Sequence, residues 1–296
     1  MKLAITTPTG NIGRKLVKML QDRGDHELVL LARDASKLAE EQSRGAEVRE
    51  GDMENPEYLA QATKGVDALF LAIPPRLDTA DFEAHHEAIA KYAADAIATN
   101  KIPHTVLISS IGAHIGHGVG PVNAFKSVES ILSDAADGLT ILRPTFFMEN
   151  MMMTLDGVAS AGSVFLPIDG ETEFPMIATA DVAAAAAESL TRPDVSGVEV
   201  RSLHGPKDYS FVEVSDAIGE AIGREVSFVR TKPEQTREAL KGMGVNEHVA
   251  DLYIEMYDAM ESGHMQDNVP RSEQTTTPTT FEHFAKTTIA PALQKQ

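Results

Sequence analysis

A short segment near the start of the chain has the residue types and spacing that bind phosphate. The residues Thr7-Pro8-Thr9-Gly10-Asn11-Ile12-Gly13 separate an apolar run, 2–6, from an amphipathic stretch, 14–20. Free N–H groups and the dipole at a helix N-terminus attract a pyrophosphate, and glycine is needed where the backbone approaches it closely. A strand, turn and helix in this order predict a dinucleotide site with contacts at Thr7, Thr9, Gly10, Asn11, Ile12 and Gly13.

The type of dinucleotide is indicated by residues that follow a second apolar run, 28–32. Arg33 stands roughly 20 residues beyond the turn, where the ribose is bound. Its guanidinium can bind a 2′-phosphate with two hydrogen bonds, and Lys37 adds a second positive charge. Two alternatives are a solvated Arg33 and an Asp34 that binds a free ribose hydroxyl. The position of Arg33 favours NADP(H) over NAD(H).

The elements that position these residues alternate between apolar strands and helical patterns. Strands are predicted near 3–6, 27–31, 47–50, 68–73, 106–109 and 140–142, which indicates an α/β fold with a doubly wound parallel Rossmann sheet. Ligands bind beyond the carboxyl ends of such strands. Further cofactor contacts are therefore expected at Asp52, Ala72, Ile73, Pro74, Ser109 and Ser110.

The regular alternation ends after Arg143, which predicts two parts. A Rossmann domain is expected over 1–145, with a return to it near 176–203. A smaller substrate-side region is expected over 146–175 and 204–296. Its helices, near 211–222, 233–243 and 247–260, would cover the nicotinamide end of the cleft. An extended segment, 266–280, would precede a last helix near 281–293.

Two helix starts are predicted from capping residues. The helix between the fourth and fifth strands is expected to begin near Asp78 or Thr79, and His85 and His86 on it are interpreted as packing or exposed imidazoles. An alanine-rich helix ending at 190 is expected to be capped by Thr179 or Asp181.

Composition excludes several classes of partner. A formal net charge of −18 argues against nucleic acid and against an anionic membrane surface. The sequence has no Cys and no run of about 18 apolar residues, so neither disulfides nor a membrane span are expected. We therefore expect a cytoplasmic location. His114 and His117 have no third ligand nearby, and no metal site is predicted.

The chain resembles the NmrA-like branch of the atypical short-chain dehydrogenase/reductases. The resemblance covers nearly the whole chain and rests on five strings: Thr9-Gly10-Asn11-Ile12-Gly13, Leu31-Ala32-Arg33-Asp34, Glu50-Gly51-Asp52, Val106-Leu107-Ile108-Ser109-Ser110 and Leu142-Arg143-Pro144-Thr145-Phe146-Phe147-Met148-Glu149-Asn150. The family usually opens its turn with glycine, where this chain has Thr7. Because a β-branched residue avoids positive φ, we expect a differently shaped turn.

The family includes NAD(P)H-dependent quinone, azo and triphenylmethane dye reductases, and also redox-sensing regulators without activity. The resemblance implies cofactor contacts at Thr145 and Phe146 and substrate contacts at Phe147 and Asn150. Flat rings need apolar walls, which the two phenylalanines would supply, and the amide of Asn150 can bind a polar group.

Tyrosine-dependent members of the superfamily place a Tyr four residues before a Lys, but Val122 occupies that position relative to Lys126. The usual phenol is therefore missing, and Lys126 is expected to bind ribose hydroxyls or an acceptor oxygen, with a plain surface lysine as the alternative. The glycine-rich loop that carries His114 and His117 is expected to act as a lid, with either imidazole as a proton donor.

Two functions follow from these features. The first is an NADPH-dependent reductase that transfers hydride to an electron-poor aromatic acceptor, such as a quinone, an azo compound or a dye. The second is an NADP-binding redox sensor without turnover that acts through a protein partner, which the missing tyrosine and the altered turn favour. Either function is compatible with a homodimer, and the sequence does not decide the oligomeric state.

Overall fold

The computed structural model describes residues 1–192, 194–266 and 269–294. The strands are β1 (Lys2–Thr6), β2 (Glu27–Ala32), β3 (Glu47–Glu50), β4 (Ala68–Leu71), β5 (His104–Ile108), β6 (Gly138–Pro144), β7 (Phe146–Phe147), β8 (Ser163–Leu166), β9 (Glu173–Ile177), β10 (Gly197–Leu203), β11 (Asp208–Ser210) and β12 (Ser227–Arg230). Seven of them form a parallel sheet in the order β10-β6-β5-β4-β1-β2-β3. The predicted doubly wound parallel sheet is confirmed.

The α-helices are α1 (Gly13–Arg23), α2 (Ala39–Ser43), α3 (Tyr58–Ala62), α4 (Phe82–Asn100), α5 (Asn123–Ala135), α6 (Leu155–Ala161), α7 (Thr179–Leu190), α8 (Phe211–Ile222), α9 (Pro233–Gly242), α10 (Glu247–Glu261), α11 (Phe281–Phe284) and α12 (Ala290–Leu293). Side chains of β1 alternate between the two faces of the sheet, as a strand requires. Leu3 and Ile5 pack with α1 and α7, whereas Ala4 packs with α3, α4 and α5. Both faces of the sheet are therefore covered by helices.

The rest of the chain forms two small sheets, with the orders β11-β9-β7 and β12-β8. They share a hydrophobic cluster with α6, α8 and the C-terminal helical segment, in which Tyr209, Phe211 and Phe281 are fully buried. This packing places α10 beside the segments that follow β5 and β6, since Met256 belongs to the same cluster as Ile111 and Phe146. In the described part of the chain, no helix is both long and apolar enough to cross a bilayer.

Two predicted helix starts were wrong. Helix α4 begins at Phe82 instead of Asp78 or Thr79, because the carboxylate of Asp81 accepts a 2.8 Å hydrogen bond from the Ala84 N–H and so caps it. Helix α7 has Ala178 at its N-cap position and no side-chain cap.

Both side chains expected to cap α7 have other partners. The Thr179 hydroxyl donates to Glu149, and the Asp181 carboxylate accepts hydrogen bonds from the N–H and hydroxyl of Thr279 at 3.0 and 2.8 Å. Of the predicted extended segment 266–280, residues 267–268 lie outside the described residues, and Thr276 forms a single bridge with His204.

Candidate functional site

The first residue of the turn after β1 has a left-handed backbone conformation, although that residue is Thr7 and not glycine. Thr7 has φ of 49°, and its carbonyl accepts a 2.9 Å hydrogen bond from the Gly10 N–H. The expectation that a β-branched residue would avoid positive φ here was wrong. Such a conformation costs about 1–2 kcal/mol outside glycine and persists where the surroundings fix it, often at a binding site.

The carbonyl of Thr7 lies so close to residue 13 that only glycine fits there. A Cβ on Gly13 would lie 2.1 Å from the Thr7 oxygen and 2.9 Å from the Thr7 carbonyl carbon, whereas a Cβ on Gly10 would lie 3.2 Å from that oxygen. Only glycine lets the start of α1 approach the turn this closely. The first helical N–H groups are thereby brought to the edge of the cleft, where a pyrophosphate would bind.

A cavity of about 240 Å³, here called the nucleotide-end cavity, lies beside this turn at the ends of β1, β2 and β3. It contains the following predicted cofactor residues: Thr7, Thr9, Gly10, Arg33, Lys37, Asp52 and Pro74. Arg33 and Lys37 are exposed. The Asp34 carboxylate instead accepts hydrogen bonds from the Ser36 N–H and hydroxyl at 3.0 and 2.6 Å, which lower its pKa.

A second cavity of about 410 Å³, the central cavity, continues along the carboxyl edge of the sheet. It shares Thr7, Gly10 and Pro74 with the nucleotide-end cavity. The predicted residues that line it are Thr7, Gly10, Asn11, Ile12, Gly13, Ala72, Ile73, Pro74, Ser109, Ser110, Thr145, Phe146, Phe147 and Asn150. Residues that are far apart in sequence thus form one continuous cleft.

The Thr145 hydroxyl lies in the wall of the central cavity and has no hydrogen-bond partner among the described residues. Thr145 is 3 % exposed, and its Oγ1 is buried without a hydrogen bond to the described residues. Since a buried polar atom without a partner is costly, a bound polar group is the natural explanation. This hydroxyl and the glycine cradle at Gly13 both fit a nicotinamide dinucleotide.

A third cavity of about 250 Å³, the distal cavity, opens from the far end of the central cavity. The two share Phe146, Asn150, Tyr253 and Met256. Its other walls are mostly apolar or aromatic and come from α6, β8, α9, α10 and residues next to these elements, with Met153, Phe165, Leu240, Met243 and Tyr257 among them. A flat apolar molecule could therefore lie against whatever occupies the central cavity.

A polar network fixes the wall between α1 and the segment after β7. Glu149 is 8 % exposed, and its Oε1 accepts a 2.8 Å hydrogen bond from Lys15 Nζ. Its Oε2 accepts a 3.0 Å hydrogen bond from the Thr179 N–H, and the Thr179 hydroxyl lies between Lys15 and Glu149. The network ties the glycine turn to the Phe146-Phe147 segment.

A second network fixes Ser109 at the end of β5. The Ser109 hydroxyl donates a 2.5 Å hydrogen bond to Glu129 Oε1, and Arg143 binds both carboxylate oxygens of Glu129, at 2.9 and 2.5 Å. The proton of Ser109 is thereby directed away from the central cavity. Toward a cavity ligand this hydroxyl can only accept a hydrogen bond.

Three predicted residues do not line any of the three cavities. Lys126 is exposed, and its Nζ donates a 3.2 Å hydrogen bond to the Ile115 carbonyl. His114 and His117 are exposed on the loop that packs against the Lys126 stem, and a Cβ on Gly116 would lie 2.1 Å from Lys126 Cδ. No group of His, Asp and Glu that could hold a metal ion occurs among the described residues.

Comparison with known proteins places this geometry in a family. A family described as NAD(P)H-binding matches residues 8–193. An NAD(P)H azoreductase of Xenophilus azovorans is 31% identical over 282 residues, which cover 94% of each chain. The chain belongs to the NAD(P)H-binding family. The resemblance found in the sequence is confirmed. The matched family and relatives fit an NmrA-like atypical short-chain dehydrogenase/reductase.

Solved structures show the same fold. A triphenylmethane reductase of Citrobacter sp. superposes with a TM-score of 0.82 at 20% identity, over 99% of this chain and 100% of that one. An NADPH-dependent quinone oxidoreductase of Escherichia coli in complex with NADPH gives a TM-score of 0.79 at 20% identity, over 99% of both chains.

Sequence reasoning missed the side chains that α10 contributes to the far end of the cleft. Tyr253, Met256 and Tyr257 lie at i, i+3 and i+4 on α10, a spacing that also describes an ordinary buried helix face. His86, interpreted as a packing imidazole, does pack between Phe82 and Phe125, but it also lines the central cavity. Lys15 and Glu129 carried no sequence signal, and Thr179 was predicted only as a helix cap, because the partners of these residues at the site lie on distant elements.

Proposed function

We propose that this protein is an NAD(P)H-dependent oxidoreductase that reduces an electron-poor aromatic acceptor. The observation that carries the proposal is the wall shared by the central and distal cavities. A dinucleotide held by the glycine turn and a flat molecule in the distal cavity would meet at Phe146 and Asn150. Holding two reactants in contact is a large part of what such a reaction needs.

The central cavity would hold the nicotinamide half, which when bound in reduced form supplies a hydride. Phe146 and Phe147 offer apolar walls, Thr145 Oγ1 offers a hydrogen bond from a buried position, and Ser109 offers an acceptor. Lys126 does not line this cavity, and Val122 stands where a tyrosine would precede it by four residues, which favours acceptors that delocalise charge and take their proton from water.

The nucleotide-end cavity supports a preference for NADP(H). Arg33 and Lys37 are exposed beside it and present positive charge, whereas the Asp34 carboxylate is held by Ser36. Both hydrogen bonds from Ser36 go to Asp34 Oδ1, so Oδ2 could still accept from a free ribose hydroxyl, and the preference rests on the two positive charges. A 2′-phosphate would gain charge-assisted hydrogen bonds from Arg33.

The acceptor class follows from the distal cavity and from the relatives. That cavity is lined mainly by methionine, aromatic and aliphatic side chains. The relatives are an azoreductase and a quinone oxidoreductase by name, and a triphenylmethane reductase has the same fold. We infer that a quinone, an azo compound or a triarylmethyl dye binds here.

The test mixes the protein with NADPH or NADH and a panel of the three acceptor types, and follows the absorbance of the reduced nicotinamide. Oxidation that depends on both protein and acceptor supports a reductase. Tight NADPH binding with no turnover of any acceptor would instead support the sensor function, which the exposed Lys126 and the absent tyrosine favour. A pull-down that compares NADP⁺ with NADPH would then identify a partner.

A further inference from the structure

Tyr253 stands where the cavity for the nicotinamide meets the cavity for the acceptor. It lies on α10, lines both cavities and packs against the hydrophobic clusters on either side of it. Tyr92 on α4 is half-buried and lines none of the three cavities. Tyr92 therefore serves as a comparison for Tyr253.

The junction of the two cavities carries two polar side chains, Asn150 and Tyr253, among apolar neighbours. Neither side chain hydrogen-bonds to another residue within the described ranges 1–192, 194–266 and 269–294. A tyrosine hydroxyl, whose ordinary pKa is about 10, keeps its proton at neutral pH, and burial raises the pKa of Tyr253 further. A protonated phenol with no protein partner can donate to a bound molecule.

We propose that the Tyr253 hydroxyl donates a hydrogen bond to the oxygen of a carbonyl-type acceptor and stabilises the negative charge that this oxygen gains during reduction. The proposal rests on the proposed function and supplies, from α10, a phenol that the position of Val122 lacks. Because the donor is already in place inside an apolar cleft, it needs little reorganisation as charge develops.

The chemistry separates acceptors that need this donor from those that do not. A quinone that takes a hydride becomes a hydroquinone anion, which then gains a proton from water, while NADPH becomes NADP⁺. A triarylmethyl cation that takes a hydride becomes a neutral molecule, and a new C–H bond forms with no oxyanion. Only the first reaction should depend on the Tyr253 hydroxyl.

The kinetic test compares Tyr253→Phe with Tyr92→Phe as its control, each against a quinone and a cationic triarylmethyl dye. Tyr253→Phe should lower kcat for the quinone by roughly tenfold to a hundredfold, the effect of losing a hydrogen bond to a charged group. Reduction of the dye by Tyr253→Phe should stay within about twofold, and Tyr92→Phe should change neither reaction. An equal loss for both acceptors, or none for the quinone, would overturn the proposal.

A binding test separates this proposal from the proposed function. Para-nitrophenol is added without nucleotide, and the absorbance of its phenolate is followed as pH is varied. The apparent pKa of the bound probe should be about one unit higher in Tyr253→Phe than in the parent protein or Tyr92→Phe. No binding, or the same pKa in all three proteins, overturns the role of Tyr253 even if turnover is found. A shift without turnover of any acceptor would leave the donor in place and reject the reductase.

Discussion

Lys15 Nζ lies 2.8 Å from Glu149 Oε1 and so joins the first helix to the Phe146-Phe147 segment, which forms a wall of the central cavity. The carboxylate is nearly buried, whereas the lysine side chain is 27% exposed. Removing one partner from such a pair leaves an uncompensated charge. The pair therefore couples the folding of the glycine turn to that of the Phe146-Phe147 wall.

Lys15→Met should lower the free energy of unfolding by about 1–3 kcal/mol, less than for a fully buried pair because water reaches the lysine. Adding Glu149→Gln to it should recover part of that loss, since the amide oxygen can still accept from the Thr179 N–H. Urea unfolding of the two single variants and the double variant measures the coupling. Losses that add to within about 0.5 kcal/mol would show that the two residues are independent.

Gly13→Ala should weaken nucleotide binding more than tenfold and lower thermal stability, because its Cβ would lie 2.1 Å from the Thr7 oxygen. Gly242→Ala is the matched control, since a Cβ there meets nothing within 4 Å. Calorimetric titration with NADPH and thermal melting check both properties. Unchanged binding in Gly13→Ala would mean that the dinucleotide binds elsewhere.

Arg33→Ala should reduce NADPH affinity by roughly tenfold to a hundredfold and leave NADH affinity nearly unchanged. The reason is that a charge-assisted pair with a 2′-phosphate exists for NADPH alone. Titration of both nucleotides, with Arg23→Ala as a control at the far end of α1, measures the preference. Equal affinities of the parent protein for the two nucleotides would contradict the predicted NADP preference.

Lys126→Ala should slow turnover only moderately, whereas Phe147→Ala should impair alignment of the acceptor more strongly. Lys126 Nζ binds a backbone carbonyl outside the three cavities, and Phe147 lines the central one. Steady-state kinetics with a quinone would show the order of the two effects. A near-complete loss of kcat in Lys126→Ala, with normal folding and NADPH binding, would mean that Lys126 itself handles a proton.

Stability should fall as the pH drops below about 6.5, and His86 should account for part of the loss. Burial lowers the pKa of His86 to about 4, so the unfolded chain binds a proton there that the folded chain does not bind until the pH nears 4. One such group lowers the free energy of unfolding by at most about 1.4 kcal/mol for each pH unit. His86→Gln should flatten the profile from pH 4 to 7 in chemical denaturation, while His85→Gln should not. Identical profiles for the parent protein and His86→Gln would refute the assignment.

Local signals account for the parts of the fold that were predicted well. Helix α8 spans 211–222 as expected, because Ser210 and Glu213 form a capping box at its start and Gly223 ends it with φ of 71°. The sheet followed from apolar runs separated by turn residues. These features depend on neighbours within a few residues, which a sequence displays directly.

The residues near the glycine turn were predicted individually, whereas at the far end of the cleft Asn150 and a covering helix were predicted but not the side chains that α10 contributes. Arg33 and Gly13 follow strands at fixed offsets, so their placement depends only on the sheet topology. Tyr253 reaches the cleft because α10 packs beside the segments that follow β5 and β6, and nothing in the spacing of its helix face distinguishes a cavity wall from a core. At Thr7 the prediction failed for a different reason. The residue type predicted that φ would be negative, but the surrounding turn holds φ at 49°.

Strand β10 pairs with β6 along seven positions, from Gly197 opposite Gly138 to Leu203 opposite Pro144. One edge strand of the main sheet is therefore translated after β7, β8 and β9. While a ribosome has delivered β6 but not yet β10, β6 presents unpaired N–H and C=O groups along an apolar strand, which is a template for association with another chain. Such a nascent chain should need protection by chaperones until Leu203, the last residue of β10, has emerged.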